Sequence, residues 1–280
     1  MAIRQRVLLK NPKNFVAPGG LNFEKHFRLH AQEKTRYYDE IAKLTDDQRN
    51  MRTVTPGYVE GMMRRWIALY HGEVAAAQYM GVAAHNVPMT DYWDFIACCV
   101  CQQIDELQHS EMDRDMLFRA GLTDDKLPAL WDACEARVVF DHLLGLEDSF
   151  EIAFKGGFVL ESANALVGFH AMARFAEAHN DFLSAANHRT RLTDEPRHMA
   201  LGVAVLKAMV ADDPANIAVL QHWQDEFAPL IRTFVYASRP IERIPGSDFS
   251  ADAMWASIVD HHSKNAEKYG LRPTLTLDMV

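Results

Sequence analysis

Glu-x-x-His occurs twice in this chain, as Glu106-Leu107-Gln108-His109 and Glu195-Pro196-Arg197-His198. Residues three apart on a helix share one face, so each copy can bring a carboxylate and an imidazole to the same ion. One copy alone constrains little, because such a pair usually sits on a solvated face. The constraint comes from what precedes each copy. Glu73 lies 33 residues before Glu106, and Glu161 lies 34 residues before Glu195. The two halves of the pattern are therefore offset by 88 or 89 residues.

The chain around these motifs reads as helix throughout. Alanine, leucine and methionine recur at helical spacing, and glycine and proline cluster between segments. Pro56 predicts the first turn of a long helix over Gly57 to Ala84, ended by His85-Asn86-Val87-Pro88. Thr90 is the expected N-cap of the next, which runs to Gly121. A shorter helix is expected over Pro128 to Leu144, then long ones over Glu147 to Ala178 and Asp181 to Val210. Asp213-Pro214 opens another that ends before Pro240, and a last one covers Asp248 to Lys268. Residues 1–56 read as an arm with one helical stretch near 23–43, 57–212 as the core, and 213–280 as flanking helices within one domain. The expectation is an all-α fold, a four-helix bundle with additional flanking helices.

Helix length tests whether the motifs can meet. At ~1.5 Å per residue, Glu73 is about 18 Å and Glu106 about 24 Å from the turn that joins their helices. Glu161 and Glu195 are about 27 Å and 21 Å from the turn near Asn180. Two antiparallel hairpins thus deliver Glu plus Glu-x-x-His to similar depth. Glu73 stands among Ala75, Ala76, Ala77 and Met80, and Glu161 stands in the apolar run from Phe158 to Val167. Buried glutamates need partners. Four of them would repel one another unless cations neutralise them, and oxygen and imidazole donors suit iron or manganese. The expected ligands are Glu73, Glu106, His109, Glu161, Glu195 and His198, around two iron ions or a manganese–iron pair. An aspartate precedes each motif glutamate, and metal-bound histidines commonly donate their second N–H to a carboxylate. Asp105 is therefore expected to orient His198, and Asp194 to orient His109. Pro196 is expected to kink its helix or force a π-type bulge.

Composition bounds the alternatives. The 280 residues are 49% hydrophobic and carry a formal net charge of −9, which disfavours DNA and anionic membrane partners. Cys98, Cys99, Cys101 and Cys134 have no spacing suited to a disulfide framework or a zinc site, and read as reduced thiols. The opening residues lack the apolar core of a secretory signal, and no stretch is long and apolar enough to span a bilayer. The expected location is the cytoplasm.

Gly72-Glu73 with its alanines, Asp105-Glu106-Leu107-Gln108-His109 and Asp194-Glu195-Pro196-Arg197-His198, followed by Gly202, resemble the hydroxylase components of bacterial multicomponent di-iron monooxygenases. These are the toluene, phenol, alkene and methane oxidisers, a ferritin-like group that shares a superfamily with ribonucleotide reductase small subunits. The resemblance covers the helices between about residues 57 and 212. It implies O₂ activation and insertion of one oxygen atom into a small organic substrate. It also implies electrons from a reductase or ferredoxin, a small effector protein and an oligomer, here a homodimer. By the same resemblance Glu161 is the carboxylate that shifts during turnover and Arg197 supports the ligands. Ala76, Ala77, Phe158 and Ala165 are expected to line the pocket, with Asp113 beside it as a polar group or proton donor.

The chain departs from the family in three ways. It is shorter than the large catalytic subunits, Ala165 stands where a threonine is usual, and Gln108 stands where arginine is common. Asp113 occupies the position of the radical tyrosine of the reductase subunits, which disfavours a tyrosyl-radical role there. Other readings of the same ligands are an arylamine N-oxygenase or other di-iron oxidase, an iron-storage protein, and a non-catalytic accessory subunit.

Overall fold

The computed structural model describes residues 9–11, 28 and 36–277, with the side chains of 163–166 outside the described set. It is all-α and ferritin-like: the described residues form helices and connecting turns with no strand among them. Two short helices, α1 (Arg36–Ala42) and α2 (Asp46–Arg49), precede the bundle. The first bundle hairpin is α3 (Tyr58–His85) and α4 (Trp93–Arg119). Three short helices follow: α5 (Leu127–Asp132), α6 (Arg137–Leu144) and α7 (Ser149–Ala153). From α7 the chain passes without a break through a π-helical stretch, Phe154–Glu161, into α8 (Ser162–Ala178). The second hairpin closes with α9 (Phe182–Asp212). Outside the bundle lie α10 (Ile217–Tyr236) and α11 (Ala251–Lys268).

Local chemistry sets most of these ends. Gly57 precedes α3 at φ +79°, a left-handed conformation that glycine adopts without strain. Gly121 follows α4 at φ +88°, as expected of a C-terminal glycine. Asn180 takes φ +61° in the turn between α8 and α9, and Asp181 then accepts from the Ser184 N–H to cap α9. Thr90 is not the cap of α4. The chain makes a tight turn back onto Pro88, which places Tyr92 in that position. The helix expected over Pro128 to Leu144 is two, interrupted at Cys134. Of the arm helix expected near 23–43, only α1 falls largely within the described residues.

The hairpin α3–α4 packs along its length, α9 packs on α8 and on the π stretch, and α9 meets α4 to close the bundle. The main core is rich in aromatic side chains, among them Phe95, Phe150, Phe154 and Phe227. A second cluster, with Tyr58, Met62, Trp66, Met116 and Phe175, fills the end where α3 begins. Flanking helix α10 covers the π stretch and α6, and α11 covers α8. No described helix is long and apolar enough to cross a membrane.

One backbone contact fixes how the second hairpin meets itself. A Cβ added to Gly202 would lie 2.3 Å from the Phe158 nitrogen, and one added to Gly157 would lie 2.6 Å from the His198 carbonyl oxygen. The π stretch therefore rests backbone to backbone on α9, one turn beyond His198. Helix irregularity is found here and not at Pro196, where α9 runs on without interruption.

Candidate metal centre

Bundle packing brings all six residues of the repeated pattern together. Two groups have donor atoms mutually within 4.8 Å: Glu73, Glu106 and His109, and Glu106, Glu161 and His198. Glu106 belongs to both. Its Oε2 lies 3.2 Å from His109 Nδ1 and its Oε1 lies 3.4 Å from His198 Nδ1. Glu195 Oε2 is 3.5 Å from the same His198 nitrogen, and Glu73 Oε2 is 3.5 Å from His109 Nδ1. The two imidazole centroids are 6.1 Å apart.

Each histidine turns its other nitrogen across the bundle. His109 Nε2 lies 3.0 Å from Asp194 Oδ2, and His198 Nε2 lies 3.2 Å from Asp105 Oδ2. An aspartate accepting from Nε2 orients each ring and leaves Nδ1 facing the glutamates, where a bound metal would take the place of its proton. Arg197 Nη2 donates to both aspartates, at 2.8 Å to Asp105 and 2.9 Å to Asp194.

Two further residues escaped the sequence reading. Gln102 donates to Glu106 Oε1 at 3.0 Å and to Glu161 Oε1 at 2.8 Å. Arg191, fully buried, donates to Glu73 and Asp113 through its two Nη atoms and to Asn187 through Nε. Both stand four residues before a motif glutamate, and that spacing places them on the ligand face. The signal was present in the sequence and went unused.

The pocket expectations fare unevenly. A small cavity of about 50 Å³ opens beside the glutamates, lined by Glu73, Glu106, Glu161, Glu195, Tyr79 and an apolar wall that includes Ala76, Leu69, Phe140, Leu160, Phe169 and Phe234. Among the described residues, Ala77, Phe158 and Asp113 do not line it. The Ala77 carbonyl accepts from Gln103 of α4. Phe158 stacks on Phe154 and meets Tyr269 and His262 edge-on, because the i→i+5 winding of the π stretch rotates it toward α11. Asp113 is fully buried and is held by Arg191 and Asn187. The side chain of Ala165 lies outside the described residues. The cysteines are free: Cys98, Cys99 and Cys101 are buried core residues, and burial pushes the Cys98 thiol up to about 12.

The donor set fits divalent metal. Glu161 Oε2 and His198 Nδ1 are buried without a hydrogen-bond partner, and they lie 3.6 Å apart. Burial lifts Glu161 well above the usual carboxylate range and Glu106 to about 7, with neighbouring carboxylates adding to the rise. Burial disfavours charge on both imidazoles, yet the surrounding carboxylates outweigh it and hold both well above the usual histidine value. Glu73 goes the other way: burial opposes its charge, but Arg191 and His109 keep it below the usual range. Protons thus occupy the metal-free centre near neutrality, and cations must displace them. Iron(II) binding is expected to release protons, more of them at pH 6 than at pH 8, because Glu106 loses its own near 7. Titration calorimetry in buffers of different ionisation heat measures this. Uptake without proton release at pH 6 would contradict it.

A helical bundle with four inward glutamates and two inward histidines, the histidines braced by aspartates, defines a ferritin-like protein with a carboxylate–histidine centre. Residues 2–213 match the methane/phenol/alkene hydroxylase family, and the chain belongs to it. Among solved structures it is similar to phenol hydroxylase from Pseudomonas sp. OX1, seen under xenon pressure. The TM-score is 0.76 and the identity 19%, over 95% of this chain and 56% of that one. It is also similar to toluene 4-monooxygenase with toluene bound in its resting active site. There the TM-score is 0.68 and the identity 18%, over 82% of this chain and 78% of that one. The chain therefore spans little more than half the length of the phenol hydroxylase chain. No individually curated protein matches it.

Proposed function

We propose that this chain is the hydroxylase of a multicomponent di-iron monooxygenase and inserts one oxygen atom into a small aromatic or hydrocarbon-like substrate. The observation that carries the reading is the pair of donor groups sharing Glu106, with each histidine Nδ1 turned inward and each Nε2 tied to an aspartate. Glu73, Glu106, His109, Glu161, Glu195 and His198 would hold the metal, and a manganese–iron pair would find the same donors. When bound, the pair supplies the reduction of O₂ and the transfer of one of its atoms.

The protein's own groups do the rest. Asp105, Asp194 and Arg197 keep the imidazoles in one tautomer. Arg191 anchors Glu73 by a charged pair, whereas Glu161 accepts its hydrogen bond from the neutral amide of Gln102 and lies 3.6 Å from His198 Nδ1. A guanidinium adds a full positive charge beside its carboxylate, which an amide does not. Glu161 is therefore the carboxylate free to change position, and the π stretch behind it gives its backbone an unusual register. Phe140, Phe169 and Phe234 give the cavity a wall suited to contact with an apolar ring. Asp113 serves to anchor Arg191. Electrons come from a reductase or ferredoxin, a small effector docks on the surface, and the chain works as a homodimer in the cytoplasm, where its thiols stay reduced.

Iron-loaded protein supplied with a ferredoxin or flavin reductase, NADH and ¹⁸O₂ should convert toluene or phenol to a product carrying one ¹⁸O atom, read by mass spectrometry. Oxygen consumption with no oxygenated product from either compound would replace the monooxygenase reading with that of an oxidase.

A further inference from the structure

The described wall of the cavity divides sharply. Four of its residues are the glutamates of the centre, and the rest are apolar or glycine except one, Tyr79. Tyr79 is the single hydrogen-bonding side chain there that is not a proposed metal ligand. It stands on α3 six residues after Glu73, is 1% exposed, and feels the charge of all four glutamates. Its ring and hydroxyl pack on the π stretch, with the oxygen 3.4 Å from where a Cβ on Gly156 would sit. That contact fixes the ring between α3 and the segment that carries Glu161. Among the described residues its hydroxyl has no hydrogen bond to another side chain. A buried phenol hydroxyl without a hydrogen-bond partner costs stability unless something uses it.

We infer that Tyr79 is a specificity-determining residue: its hydroxyl hydrogen-bonds a hydroxyl or amino substituent on a single-ring aromatic substrate. The inference rests on the hydroxylase reading and deepens it. With the four carboxylates engaged on metal, the cavity offers a polar substituent one neutral partner, and that partner can both donate and accept. A ring with only alkyl substituents gains nothing from it. The remaining contacts, from Leu69, Ala76, Phe140, Leu160, Phe169 and Phe234, are shared by both kinds of ring.

The test is equilibrium binding of phenol and of toluene to the di-iron(II) protein under anaerobic conditions, by calorimetry, for the native chain and for Tyr79→Phe. The exchange removes one oxygen and keeps the ring, so packing on Gly156 is preserved. The expected result is that Tyr79→Phe weakens phenol binding about tenfold, the upper end for one neutral hydrogen bond, and leaves toluene binding unchanged. The comparison of ratios cancels the different hydration of the two ligands. Equal weakening of both would mark Tyr79 as a packing residue and overturn the inference, as would no change in either. Those two outcomes leave the hydroxylase reading intact if the native chain still binds two irons and oxygenates toluene. Failure to load iron sinks that reading, and this inference with it.

Discussion

Glu106→Ala should take the protein from about two bound irons per chain to nearly none after anaerobic reconstitution with iron(II). The reason is geometric. Glu106 is the one carboxylate that belongs to both donor groups, with one oxygen toward His109 and the other toward His198. Losing it would strip a donor from each group and remove the negative charge they share. Glu73→Ala, by contrast, touches only the group around His109 and should leave about one iron. The fold itself should survive Glu106→Ala, because burial disfavours that carboxylate's charge in the metal-free state. Helical circular dichroism serves as the control. Elemental analysis that finds one tightly held iron in the Glu106→Ala protein would show that Glu106 serves a single ion.

Gly202→Val should be among the most destabilising single substitutions available in the bundle. Its Cβ alone would fall 2.3 Å from the Phe158 nitrogen and 2.8 Å from the Gly157 carbonyl carbon, both backbone atoms that no rotamer change can move away. Overpacking of a core typically costs 1–3 kcal/mol, and a backbone clash belongs at or above the top of that range, about 3 kcal/mol. For a chain of this size that lowers the thermal midpoint by roughly 6–12 °C. Separation of the π stretch from α9 would also draw Glu161 away from His198, so iron affinity should fall with stability. A midpoint within about 2 °C of the native protein would mean that the two backbones are not in the contact described.

The sequence made the clustering of the six residues legible because three physical signals coincide on them: helical spacing, burial implied by apolar neighbours, and similar depth from a turn. Glu73 and Glu161 were found by depth, and His109 and His198 by the three-residue step. The reach of Asp105 to His198 and of Asp194 to His109 was expected from the chemistry of imidazole. The π stretch was not legible. Phe154–Glu161 contains no proline and reads as ordinary helix, and its winding is bound up with the close contact between Gly157 and Gly202, which are far apart in the chain. Pro196 drew attention to the wrong helix, since a missing N–H is visible in sequence and a tertiary contact is not. Ala77 and Phe158 were misassigned to the pocket for related reasons. Ala77 is buried elsewhere in the packing of α3, and Phe158 is rotated by the π winding. Thr90 failed as a cap because the tight turn beginning at Pro88 consumes it.

Gln102 and Arg191 occupy equivalent places in the two halves of the chain, 89 residues apart, yet one is a neutral amide and the other a cation. Each reaches from its own hairpin to the first glutamate of the opposite one. The internal symmetry of the ligands is thus broken by their supports. Two ions bound here would be chemically distinguishable: the one beside Glu73 fixed by a carboxylate already neutralised by a guanidinium, the one beside Glu161 by a carboxylate with its charge still to give. A bundle that reads as a duplication therefore contains a built-in polarity: the Glu73 half is braced by a cation and the Glu161 half by a neutral amide.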